Sequence, residues 1–216
     1  MKHLAILFSA ATMLFACNNA STDTAPGIDS TGSTSAGTAA AEAWVPVDSA
    51  TSMKMMMEMG TPGPEQALLA KGDGNWKAET TMWMAPDAAP MTSTGTVTNK
   101  MIMGGRYQEM TFKGDMMGTQ FHGSSITGYD KARKVWTSSW VDNMSTGIMN
   151  MDGVMDEATK TITYSGKMLC PANGKMCDTK EIVKMIDDKT QIMEMYGPDM
   201  QTGKSYKNME IKLTRN

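Results

Sequence analysis

Three groups of residues in this chain have types and spacings that could do chemistry: a methionine run, a cysteine pair and an aromatic stretch. The run "MKMMMEMG" places Met53, Met55, Met56, Met57 and Met59 within seven positions. Copper(I) favours thioether ligands, so capture of a soft metal is one reading. On a helix, however, Met53, Met56 and Met57 share a face at i, i+3 and i+4, the pattern of a packing stripe, and Met55 and Met59 share another. No histidine or cysteine stands beside them, and 26 methionines in the whole chain make a local run less informative. The expectation is packing, with methionine doing the work of leucine. Copper(I) binding is the alternative, and an oxidation sink a third reading.

Cys170 and Cys177 frame "CPANGKMC", with Pro171 and Asn173-Gly174 marking a turn. Six intervening residues fit neither a zinc nor a thioredoxin spacing. In an oxidising compartment the expectation is a disulfide that closes the hairpin, contributing roughly 2.5 kcal/mol through chain entropy. His122, in "QFHGSS", is followed by Ser124 and Ser125. Adjacent strand residues point to opposite faces and no nucleophile elbow surrounds these serines, so a surface or pocket histidine is the simpler reading. Haem ligation by His122 and a hydrolase or isomerase pairing with Asp142 are alternatives. No catalytic residue and no cofactor are assigned.

The aromatic stretch is "GYDKARKVWTSSWVDNMSTG". As a strand it puts Trp136, Ser138, Trp140 and Asp142 on one face. Aromatic walls with one carboxylate suit a mostly apolar ligand with a polar handle. Arg106, Tyr107 and Tyr129 are further candidate contacts. The competing reading is a tryptophan pair in the sheet core, with Asp142 capping a turn.

These residues need elements to hold them. The front end reads as an address. Residues 1–16, "MKHLAILFSAATMLFA", join a positive start to an apolar stretch too short to span a bilayer. "LFAC" resembles a bacterial lipobox, which implies cleavage before Cys17 and acylation of that cysteine as the membrane anchor. Asn18 is not the aspartate of an inner-membrane retention signal, so an outer-membrane anchor facing the periplasm is expected. Residues 17–46 form the lipidated end and a tether rich in small polar residues. A flexible tether of this length reaches about 25–30 Å.

The remaining 47–216 read as one domain. Helical signals cover 47–59, with Asp48 or Ser49 as cap, and 64–71, which opens on a proline. From residue 74 the pattern changes. Strands are expected over 76–84, 95–103, 106–113, 119–128, 134–142, 147–155, 159–166, 180–187, 190–196 and 205–214, punctuated by turn residues. Four M-x-M pairs, Met82/Met84, Met101/Met103, Met149/Met151 and Met193/Met195, alternate with the strand period. About ten antiparallel strands in hairpin succession favour closure, which removes edges. The expected fold is therefore all-β, a roughly ten-stranded barrel with one or two short N-terminal helices. A net charge of −3 gives no basic face for nucleic acid. The partners expected are the membrane, through the lipid, and a small apolar ligand.

Several motifs in order, "TPGPEQALLA", "GNW", "GGRY", "GYD", "WVDNMSTG" and "MEIKLTR", resemble those of the bacterial family called domain of unknown function 1579. The resemblance covers roughly residues 50–216 and implies no catalytic residues, because the family carries no assigned activity. Its members often have histidine where this chain has Gln66. The chain also resembles calycins, the lipocalin-like barrels, which pair a Gly-x-Trp on the first strand with an arginine near the chain end. Trp76 and Arg215 fit that pairing, and a guanidinium over an indole would close one barrel end.

Overall fold

The computed structural model describes residues 44–170 and 173–216. Residues 1–43, which hold the expected signal segment, the expected lipidation site Cys17 and most of the expected tether, lie outside the described residues. So do Pro171 and Ala172.

Two helices open the domain: α1, Ser49–Gly60, and α2, Pro64–Ala70. Asp48 caps α1 by accepting a bond from the Thr51 backbone N–H at 2.9 Å. Pro64 starts α2, where its missing N–H costs nothing. Ten strands follow: β1 Gly74–Met82, β2 Met91–Ile102, β3 Tyr107–Met116, β4 Thr119–Asp130, β5 Val135–Asp142, β6 Met149–Asp156, β7 Thr161–Leu169, β8 Met176–Asp187, β9 Thr190–Pro198 and β10 Ser205–Arg215. Each pairs antiparallel with its sequence neighbours, and β1 pairs with β10, so the sheet closes into a barrel. Closure leaves no strand edge unpaired.

Alternation decides what faces inward. In β1, Trp76, Ala78 and Thr80 are buried while Lys77 and Glu79 between them are exposed. Two apolar clusters result. One gathers Trp76, Ala78, Val97, Phe112, Phe121 and Leu213, and the other Trp136, Met151, Ile162 and Tyr164. Leu68 and Leu69 of α2 pack against the second cluster.

The segment from α2 to β1 is fastened across one end of the barrel. The Trp76 indole donates to the Gly72 carbonyl at 2.9 Å, and the Asn99 amide donates to the same carbonyl at 3.1 Å. Gln108 donates to the Leu69 carbonyl at 2.6 Å and to the Asp73 carboxylate at 2.9 Å. Arg215, the register partner of Trp76, places its guanidinium 4.3 Å from that ring and donates to the carbonyls of Lys71, Asp73 and Asp188. Gln66, buried, receives the Gly63 N–H at 2.7 Å and donates to the Tyr129 carbonyl at 3.3 Å. The Lys71, Gly72 and Asp73 carbonyls, which lie just past the end of α2, thus find side-chain donors where the helical ladder has stopped.

The methionine run corrects the packing expectation. Met53, Met55, Met56, Met57 and Met59 are all exposed, between 46% and 68%, and α1 buries no residue. Periodicity put them on helix faces correctly, but among the described residues nothing covers those faces. One polar tie is Lys131, which donates to the carbonyls of Glu58 and Thr61 at the helix end. Two of the four M-x-M pairs also end differently. Met149/Met151 and Met193/Met195 line the interior, whereas Met84 and Met103 fall beyond their strands and are exposed.

Candidate functional site

The barrel interior is not filled. It holds a cavity of about 650 Å³. Its wall is largely apolar: Trp136, Trp140, Phe112 and Phe121 contribute rings, and Met110, Met149, Met151, Met193, Met195 and Met209 contribute thioethers. A mostly apolar hollow with few polar groups is the usual build of a small-molecule site. Leu68 and Leu69 floor it at the α2 end. At the opposite end Asp115 and Met144 line it while remaining exposed, so this end opens to solvent.

Trp136, Ser138, Trp140 and Asp142 all line the cavity, because β5 turns that face inward. Trp140 stacks on Phe121 with ring centres 6.2 Å apart and 20° between planes. Its indole donates to Asp142 Oδ2 at 2.8 Å, and Asp142 Oδ1 accepts the Met144 backbone N–H at 2.9 Å. Asp142 thus caps the turn and holds the tryptophan at the open end. Gly123 makes room for that ring: a Cβ there would lie 2.1 Å from Trp140.

Arg106, Tyr107 and Tyr129 do not line the cavity. Arg106 is exposed and its guanidinium donates to the nearby Met103 carbonyl at 3.0 Å. Tyr107 is 44% exposed and its ring covers Gly128 on the outer surface. Tyr129 meets Trp136 edge-on at 5.3 Å and lines a second groove with Tyr107, beside the Asp130–Arg133–Asp152 ion pairs. Arg106 and Tyr107 follow a turn, where the inward phase is hard to read from sequence, whereas Tyr129 keeps the inward phase of its register partner Trp136 and packs against that core cluster beyond the end of the hollow.

His122 is exposed, while Asp142, opposite its neighbour Gly123, faces in. The two side chains stand on opposite faces of the sheet, so they form no acid–base pair. Cys170 and Cys177 are free thiols here, in place of the expected disulfide. Met168 stands opposite Cys177, and the Cys170 N–H bonds the Lys175 carbonyl at 2.7 Å. Cys170 Sγ contacts Met200 Sδ at 3.9 Å. Burial, with Cys170 close by, raises the Cys177 thiol above its ordinary range. Among the described residues no group of three or more histidine, cysteine or carboxylate side chains could hold a metal.

One residue was missed by the sequence reading. Glu181, on β8, faces the cavity between Tyr164 of β7 and Met195 of β9, its register partners. Protein surrounds it, yet part of the side chain keeps contact with the hollow. Burial alone raises its carboxyl from the ordinary 4.5 to about 7, with no hydrogen bond or cation to offset it. The buried Tyr164 phenol is held above its usual range by burial and by Glu181. The signal was available: in "KEIVKM", Glu181 shares its strand phase with Val183 and Met185, both of which line the hollow.

The architecture defines a calycin-like barrel: ten antiparallel strands, one end closed by a helix and an Arg–Trp contact, and an apolar hollow within. The chain belongs to the family described as "Protein of unknown function (DUF1579)", which matches residues 61–215. No curated protein matches the chain.

Proposed function

We propose that this protein is a lipid-anchored envelope protein whose barrel binds a small apolar or amphipathic molecule. The observation that carries the binding reading is the hollow itself, about 650 Å³ and walled by aromatic rings and thioethers. Filling it with side chains would have stabilised the barrel, since each buried methylene contributes about 0.8 kcal/mol. Methionines suit such a wall because their flexible side chains adapt to guests of different shape. The polar handles are few: Glu181, Ser138, Ser93 and the unpaired Thr80 hydroxyl. The envelope location rests on the signal-like residues 1–16 and the lipobox cysteine, Cys17. Acyl chains on Cys17, followed by a tether of small polar residues, would keep the domain at a membrane surface.

Native mass spectrometry of the protein extracted from its own membranes tests both parts. The reading predicts a diacyl or triacyl mass on the mature N-terminus at Cys17 and a retained organic ligand of a few hundred daltons. An unacylated chain beginning at Met1 contradicts the anchor. A protein that is always empty, and takes up no apolar probe, contradicts the binding.

A further inference from the structure

Resting on the reading of the hollow as a binding site, we propose that its ligand is a hydrophobic amine, with the ammonium head paired to Glu181 and the apolar body among the methionines and Trp136. Glu181 is a carboxyl inside an apolar wall with no cation or donor bonded to it among the described residues. A buried ion without a counter-charge is costly, and a side chain kept in that state is a place where a partner can enter. The groups facing it from the neighbouring strands are Tyr164 on β7 and Met195 on β9. Neither supplies positive charge.

The rest of the lining favours a cation over an anion. At the open end the charged lining residues are Asp115 and Asp142, both acids. The cationic lining residues, Lys71, Lys160 and Arg215, belong with the end that carries α2. Arg215 is committed to Trp76 and to three carbonyls, and Lys160 pairs with Glu157 at 3.0 Å. An entering ammonium therefore passes carboxylates before reaching Glu181, and the wall beyond presents soft sulfur and π surfaces that tolerate positive charge. A fatty acid would meet the same acids as repulsion. Pairing favours the ionised carboxylate, so amine binding strengthens as pH rises from 5 to 8 while the amine stays protonated.

The test compares three dansyl probes of equal chain length ending in a primary amine, an alcohol or a carboxylate, titrated at pH 8 against the whole protein. The expected result is an amine affinity about tenfold above that of the alcohol, with the carboxylate weakest. Glu181→Gln, close in size and shape, should bring amine affinity down to that of the alcohol in the same variant, whose fold is checked independently by near-ultraviolet circular dichroism. Equal binding of amine and alcohol, a carboxylate preference, or an amine preference that survives Glu181→Gln overturns the proposal while leaving the hollow a binding site. If the alcohol also fails to bind, the binding reading falls, and this inference with it.

Discussion

Replacing Glu181 with glutamine should change how stability depends on pH, and the size of the change follows from its surroundings. The native carboxyl is raised from 4.5 to about 7 by burial. Between those values the folded protein holds a proton that the unfolded chain has released. Stability from this group is therefore full below pH 4.5 and declines as pH rises through 7. A shift of this size corresponds to at most about 3 kcal/mol, at 1.36 kcal/mol per pH unit. Glutamine has no proton to lose, so the variant should become more stable than the native protein by up to that amount at pH 8. At pH 4.5 the two should differ by less than about 1 kcal/mol, because both side chains are then neutral. Urea unfolding of both proteins in steps from pH 4.5 to 8.5 measures this, with every other titrating group cancelling in the difference. Curves that stay parallel over the whole range would refute the claim that Glu181 ionises inside an apolar wall without a partner.

Three further outcomes follow from other contacts. Arg215→Ala removes the cation–π contact with Trp76 and charged donors to three carbonyls, and should cost about 2–4 kcal/mol in urea unfolding; Arg215→Lys should recover less than half, lacking the planar fork. Gly123→Ala puts a methyl group onto the Trp140 ring, so it should lower stability by about 1–3 kcal/mol and weaken the near-ultraviolet circular dichroism of the Phe121–Trp140 stack. Changing Met53, Met55, Met56, Met57 and Met59 to leucine should leave copper(I) affinity, measured by chelator competition, unchanged, because exposed thioethers on one short helix are not a built site. A tenfold loss would restore the metal reading.

The barrel was legible because its signals repeat. All ten expected strands are present, and the turn residues fixed most hairpins to within a few positions. Strand period also carried the face of β5, since Trp136, Ser138, Trp140 and Asp142 stand in one phase and line one hollow. Where period gave way to context, the reading failed. The stripe on α1 shows a helix face but not whether anything covers it, and among the described residues nothing buries it. Arg106 and Tyr107 sit at a hairpin whose turn residues Met103, Gly104 and Gly105 adopt positive φ, and such a reversal hides which side the next residue takes. Glu181 escaped notice because a charged residue in a strand is normally assigned to solvent, although its own phase placed it inside. Hollow or filled is a question of volume, and sequence pattern carries no volume.

The most direct test of the account is whether an apolar probe enters the barrel. The environment-sensitive dansyl alcohol should bind the native protein saturably, with one site and with energy transfer from Trp136 and Trp140, which line the hollow. Ser93→Trp, which adds an indole to the wall near the open end, should reduce that affinity at least about tenfold while the protein stays folded by circular dichroism. Undiminished binding in Ser93→Trp, or no saturable binding by the native protein, would contradict the claim that the interior of this barrel is where its ligand lies.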